Sequence, residues 1–357
     1  MPRTAPLVSV IILNWNGKKF LRTCLSSLSR IRNFRIEIIV VDQNSSDDSV
    51  SYVRKTFPKV KVLASKNNNG FAGGNNIGAG AAAGKYLLFL NNDTKVTTNF
   101  LIPLIAACQR DQHIGCIQPE MRVMDHPHVL DEAGAYLTMS GFLYHYGYRK
   151  EHLLPMYRTT RVVFSAKGAC MLIPKEAFDR VGGFDDDFFI FFEETDLCHR
   201  LWLAGYKVLY LPESYIYHVA GGDTTDTYNY ERRVYLTFKN MNCSYLKNFG
   251  LLFFFTIYPV FLLFQLSVLV YFLASFRFGV AKAILSGWWW NIVNMKSTLQ
   301  KRNNIQHSLR IVSDRAIRSS IYYNPGLYYY FCLLFDAKKY RHTALTQYEI
   351  NFSRGTK

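Results

Sequence analysis

The sequence predicts an α/β protein: a doubly wound, mostly parallel sheet followed by a hydrophobic, basic, helical C-terminal region. Three observations lead there. Short runs of large apolar residues alternate with stretches of helical spacing through the first half of the 357 residues, and such alternation builds parallel sheets with right-handed crossovers. One of these runs, Tyr86-Leu87-Leu88-Phe89-Leu90, reads as a strand buried on both faces and stops abruptly at Asn91-Asn92-Asp93. The net charge of +16 is divided, with +4 over residues 1–225 and +12 over residues 226–357. A balanced first domain (1–225) therefore precedes a basic second region (226–357).

Taken in order, residues 7–13 form a β-rich run closed by Asn14-Trp15-Asn16-Gly17. Phe20, Leu21, Cys24, Leu25 and Leu28 then recur at helical spacing. A second strand over 36–41 ends on Asp42, and the polar cluster 43–48 caps a helix that Pro58 stops. A short third strand covers 60–64. The polar loop 66–74 leads into an Ala/Gly-rich helix over 75–84, narrow enough to pack close to the sheet. Its Gly-rich approach, 69–76, lets backbone come near a ligand but is neither a GxGxxG fingerprint nor a Walker A loop.

Beyond Asp93 the pattern predicts a helix over 100–109, a strand over 114–119 and an irregular stretch. A strand over 167–174 starts with small residues at Gly168 and Ala169. After a turn at 181–185, the aromatic run 188–192 ends on Glu193-Glu194-Thr195-Asp196, which opens a helix over 197–204. Carboxylates at that point are stabilised by the helix dipole, and Asp196 and Arg200 are spaced to pair along it. A strand over 208–211 follows, then His218 after Tyr215-Ile216-Tyr217.

Seven scattered cysteines with no CxxC pair point to a reducing compartment. The absence of an apolar core before the first strand predicts no secretory peptide. Between Lys247 and Arg277 no charged residue occurs, long enough for a helix to cross a bilayer; the expected apolar span is 249–276. Pro259 and Gln265 interrupt it, and positive charge on both flanks favours a hairpin over a single crossing. Residues 282–296, with Trp288-Trp289-Trp290, and 322–335 resemble interfacial segments. Basic residues beside apolar ones predict an anionic membrane surface as partner and argue against nucleic acid.

Ligands of open α/β sheets gather at the carboxyl ends of strands. Asn14, Asp42, Asp93, Glu193, Glu194 and His218 are therefore the candidate site residues. Asp93 suits a hard divalent cation that also touches a phosphate, and the acidic pair is available for proton transfer. There is no nucleophile elbow and no Cys/His zinc spacing.

The segments 8–17, 42–47, 69–76, 90–94 and 182–200 together resemble the family-two glycosyltransferases of the GT-A fold, and among them the bacterial rhamnosyltransferase-like enzymes. The resemblance runs from about residue 7 to 222. It implies a nucleoside pocket lined by Asn14 and Asp42, with Asn44, Asn75, Asn76, Asn91, Asn92, Gly168 and Asp196 also substrate-binding. The DxD motif of that family corresponds to Asn91-Asn92-Asp93, which lacks the first carboxylate. Asp93 and His218 are then metal ligands for Mg²⁺ or Mn²⁺, and Glu194 is the catalytic base with Glu193 as its rival.

The implied activity is inverting transfer from a nucleotide-diphosphate sugar, such as dTDP-rhamnose, to a hydroxyl of a glycan or lipid-linked acceptor. It would serve cell-surface polysaccharide synthesis at the cytoplasmic face of a bacterial inner membrane. Two alternatives stand beside it. One is a processive polysaccharide synthase. The other is a catalytically inactive nucleotide-sugar-binding protein, motivated by Asn91.

Overall fold

The computed structural model describes residues 8–219 and 228–321. Its strands are β1 (Val8–Asn14), β2 (Ile36–Asp42), β3 (Lys61–Ala64), β4 (Tyr86–Asn91), β5 (Thr94–Val96), β6 (Ile114–Val123), β7 (His126–Glu132), β8 (Ala135–Leu137), β9 (Leu143–His145), β10 (Arg161–Val162), β11 (Cys170–Pro174) and β12 (Lys207–His218). The N-terminal half adds helices α1 (Lys18–Leu28), α2 (Ser49–Thr56), α3 (Gly70–Gly80), α4 (Leu101–Arg110), α5 (Lys175–Arg180) and α6 (Glu193–Leu203).

The main sheet runs β10-β12-β6-β11-β4-β1-β2-β3, with β5 on β12 and β7 on β6. β1 to β4 pair in parallel, but β11 is antiparallel to both β4 and β6. The sheet is thus mixed, not mostly parallel as predicted. An apolar run does not reveal which way its strand points. The reversal matters for the site, because the beginning of β11 lies at the edge where β1, β2 and β4 end.

Side chains alternate between two cores, as the two-residue strand period requires. Ile11, Ile39 and Phe89 face one layer with Ala72 of α3 and Leu197 of α6. Val10, Ile12, Val40, Leu88 and Leu90 face the other with Leu21 of α1 and Leu104 of α4.

Two helix starts differ from expectation. α3 begins at Gly70, five residues early, where Asn68 Oδ1 accepts the Gly70 N–H at 2.9 Å. Gly70 has φ +68°, and a Cβ there would lie 2.1 Å from the Phe189 carbonyl oxygen, so only glycine fits. α6 begins at Glu193, which makes the whole acidic cluster its first turn. The aromatic run before it is no strand: Phe191 and Phe192 both adopt left-handed backbone, φ 72° and 73°.

The C-terminal region comprises α7 (Tyr230–Asn248), α8 (Leu251–Thr256), α9 (Tyr258–Ala274), α10 (Phe278–Val293), α11 (Met295–Asn304) and α12 (Asp314–Ile321). Here the expected span over 249–276 is corrected. The uncharged run forms α8 and α9, joined at Ile257, which keeps helical hydrogen bonds to Phe253 and from Phe261. α9 itself has 17 residues and is about 25 Å long against a hydrocarbon core of about 30 Å. Among the described residues no helix is long and apolar enough to cross a membrane.

Gln265 explains what α9 does instead. Fully buried, it accepts hydrogen bonds from Asn242 Nδ2 at 3.0 Å and Trp288 Nε1 at 2.6 Å. One face of α9 is therefore packed on α7 and α10. The expected interfacial segment 322–335 lies outside the described residues. The six described cysteines are all buried and free.

Candidate active site

Strand register brings the first polar group together. Asn14 closes β1 directly beside Asp42 of β2, and Asn91 closes β4 beside Leu13. Asn92 Nδ2 donates to Asn14 Oδ1 at 3.1 Å, and Asn14 Nδ2 donates to Asp42 Oδ1 at 3.0 Å. Ser45 completes the set with hydroxyl and backbone N–H bonds to the Asp42 carboxylate at 2.6 and 3.0 Å. A Cβ on Gly17 would come within 2.2 Å of Asn92 Nδ2, so the turn after β1 is glycine for the sake of this contact.

Beside that network lies a cavity of about 140 Å³ framed by Asn14, Trp15, Gln43, Asn91, Asn92 and Tyr228. A second cavity, of about 390 Å³, is lined by Asp93, Asp131, Lys167, Glu193, Glu194 and His218, with Gly168 at its rim. Phe71, Asn91 and Ile190 line both, so the two are adjoining chambers of one cleft.

His218 closes β12 opposite Thr94 of β5, which sets its ring over the Asp93 turn. Its Nε2 lies 3.2 Å from Asp93 Oδ1, and its Nδ1 lies 2.8 Å from Asp131 Oδ2. Lys167 Nζ sits 2.9 Å from the same Asp131 oxygen. Burial pulls the His218 pKa down, but the Asp131 and Asp93 carboxylates outweigh it and hold it at about 9. For Asp131 burial pushes upward, and the Lys167 and His218 cations overcome it and keep the carboxyl ionised well below the usual range.

Among the described residues no group of three or more His, Cys, Asp or Glu side chains forms a preassembled metal site. Asp93 and His218 are a pair. Asp93 Oδ1 is nevertheless buried without a hydrogen bond, and the His218 ring nitrogen faces it. One carboxylate and one imidazole suit a divalent cation that completes its shell with phosphate oxygens and water, with Asp131 orienting the ring from behind.

Glu193 and Glu194 open α6 and line the same cavity, and each has an Oε2 atom with no hydrogen bond. Burial pushes both carboxyls upward. The adjacent Glu194 carboxylate adds to the rise at Glu193, which is the more deeply buried.

Of the predicted site residues, Asn14, Asn91, Asn92, Asp93, Gly168, Glu193, Glu194 and His218 line the cleft. Asp42 lines neither chamber; its carboxylate is occupied behind Asn14. Asn44 is an exposed turn residue with φ 61°.

Three others are turned into the protein, which corrects their assignment to substrate. Asn75 Nδ2 donates to Phe71 O within α3, at 3.0 Å. Asn76 holds the 183–186 turn through Phe184 N–H, Phe184 O and Asp186. Asp196 is fully buried among Arg200, Ser244, Lys247 and Asn248. Residues missed from the sequence are Gln43, Asp131, Glu132, His145 and Lys167. Their one signal was the charged pair Asp131-Glu132 at the end of an alternating run.

The family model for glycosyl transferase family 2 matches residues 9–182. The N-acetylglucosaminyl-diphospho-decaprenol L-rhamnosyltransferase of Mycobacterium tuberculosis is 25% identical over 235 residues, covering 59% of this chain and 76% of its own length. The O-antigen biosynthesis protein RfbC of Myxococcus xanthus is 29% identical over 229 residues, 60% of this chain but 17% of its own.

Among solved structures, the mannosyltransferase PcManGT from Pyrobaculum calidifontis, in complex with GDP-Man and Mn²⁺, aligns with TM-score 0.52 at 16% identity. It covers 99% of this chain and 87% of its own. GalNAc-T7 with UDP, GalNAc and Mn²⁺ aligns with TM-score 0.55 at 20% identity over 69% of this chain, which spans about half, 48%, of that protein. These two structures establish the shared GT-A architecture.

Proposed function

Because the chain belongs to glycosyl transferase family 2 through residues 9–182, we propose that it is an inverting, metal-dependent transferase. Its donor is a nucleotide-diphosphate sugar and its acceptor a hydroxyl of a glycan or lipid-linked glycan. One observation carries the reading. Asp93, His218, Glu193 and Glu194 line one cavity, and it adjoins a second chamber lined by Asn14, Gln43, Asn91 and Asn92.

The smaller chamber receives the nucleoside against Asn14, Gln43 and Asn92, and the larger receives the sugar and the acceptor. The acceptor oxygen attacks C1 as the bond from C1 to the diphosphate oxygen breaks, and the hydroxyl proton passes to Glu194. A carboxylate raised by burial is the stronger base, and its pKa moves toward the working pH. Asp93 and His218 would hold a divalent cation, which when bound offsets charge on the departing diphosphate. Attack from the face opposite the leaving group inverts the anomeric centre.

The name of the relative in Mycobacterium supports rhamnose as the sugar and a lipid diphosphate as the acceptor's carrier, and that of the relative in Myxococcus supports a part in O-antigen synthesis. Contact with the bilayer is peripheral in this reading. Leu263, Leu266 and Val270 lie on one exposed face of α9, and Leu251 and Phe255 on α8, Phe276 and Trp289 are exposed as well. Arg277 and Lys282 stand near that ridge, which suits an anionic leaflet, here the cytoplasmic face of a bacterial inner membrane.

The test is a transfer assay with the full chain, a panel of nucleotide sugars that includes dTDP-rhamnose, and Mn²⁺, with product configuration read by NMR. Transfer with inversion supports the reading. Retention of configuration, or no release of nucleotide from any donor, overturns it.

A further inference from the structure

The turn that delivers Glu193 and Glu194 is left-handed at two consecutive phenylalanines, a backbone that bulky L-residues rarely adopt. Phe192 caps α6 without a side-chain hydrogen bond. The turn's carbonyls are held from the C-terminal region. Asn240 of α7, fully buried, donates from Nδ2 to the carbonyls of Ile190 at 3.0 Å and Phe191 at 2.6 Å.

One and two turns further along the same face of α7, Ser244 and Asn248 each donate to Asp196 Oδ1 at 2.8 Å. Lys247, 1% exposed, bridges Asp196 and Asp185. Lys301 of α11 bridges Asp185 and Asp187. Both ends of the segment 185–196, and the strained turn inside it, are therefore pinned by side chains from beyond residue 229. The other side of the segment meets α3, where Phe71 N–H donates to Phe189 O at 2.6 Å.

We infer that Asn240 is a positioning residue for the transfer reaction: by holding the Ile190–Phe191 carbonyls it sets where Glu193 and Glu194 stand relative to Asp93 and His218. The C-terminal helices are then part of the catalytic apparatus and not only a membrane contact. This rests on the base role given above to the Glu193–Glu194 pair. Positional error at a reacting group is costly, about 10²-fold for 1 Å, while the nucleoside chamber shares only Ile190 with the turn and Tyr228 with its flank.

The experiment compares Asn240→Ala, Glu194→Gln and the double variant in the full chain. Kinetics are read alongside the stoichiometry of nucleotide binding by calorimetry. The inference expects Asn240→Ala to lower kcat by about tenfold or more. Donor KM should stay within about twofold and stoichiometry near that of the unaltered protein. In the Glu194→Gln background the same change should cost little further, because both act through one group.

A normal kcat in Asn240→Ala overturns the inference, as does stoichiometry that falls in step with activity, which marks a folding role only. If Glu194→Gln and Glu193→Gln both retain full transfer, the base assignment fails on its own, independently of the Asn240 result.

Discussion

His218 Nδ1 lies 2.8 Å from Asp131 Oδ2, across 87 positions of chain. The contact fixes the imidazole so that its other nitrogen faces Asp93. A ligand ring held from behind in this way binds a cation more tightly than a free one, because its orientation is settled beforehand. Replacing Asp131 by Asn should weaken Mn²⁺ binding in the presence of nucleoside diphosphate by about 10- to 100-fold. Asp93→Ala should weaken it at least as much. Calorimetric titration checks both, and unchanged Mn²⁺ affinity in Asp93→Ala removes that residue from the metal site.

The same contacts give a pH signature in metal-free buffer. His218 is held at about 9 when folded, above its ordinary value of 6.5. Its protonation therefore stabilises the fold fully below pH 6.5, and that contribution is lost as pH rises through 9. The difference in Tm between the natural protein and His218→Gln should be widest near pH 6 and close toward pH 9.5. A difference that stays level over that range contradicts the ion-pair assignment.

Glu194→Gln keeps the shape of the side chain and removes the carboxylate proposed as the base. It should leave donor affinity within about twofold while kcat falls on the order of 10²-fold. Glu193→Gln is the control for its rival. If the larger loss belongs to Glu193, the proton goes to the more buried carboxyl of the pair.

Burying a leucine or valine side chain is worth about 1.5–3 kcal/mol. Leu263 and Val270 are both exposed on one face of α9. Changing both to Glu should therefore lower binding to anionic vesicles by about tenfold or more, without loss of transfer to a water-soluble acceptor. Vesicle sedimentation measures the first and the transfer assay the second. Undiminished vesicle binding rules out this ridge as the contact.

Much of the cleft was legible because strand ends are legible. Asp93 and His218 stand 125 positions apart, yet each follows an apolar run, and sheet topology carries both to one edge. Lys167 was hidden because nothing in residues 170–174 announces an antiparallel strand, so its start was not placed where β1 and β4 finish. Asp131 was hidden in a stretch whose pairing with β6 is broken by register shifts. Asn75 and Asn76 misled because α3 starts five residues early, which changes the direction in which each amide points. The 249–276 run misled because length and lack of charge do not disclose the buried amide of Gln265 that ties α9 to its neighbours.

The lysines that reach back from α7 and α11 bear on how this protein can be recombined. A chimera joined near residue 225 would inherit Asp185 and Asp196 from one parent and their counter-charges from another. Stripping one partner from a buried ion pair typically costs about 3–5 kcal/mol, a large part of a domain's whole stability. Ile311 N–H also donates to Leu203 O, and the buried Asp314 accepts from the Gly250 and Phe253 N–H groups. Grafts that exchange sugar specificity between relatives should therefore transplant residues 8–314 as one block, with the seam beyond Asp314 and not where the composition changes.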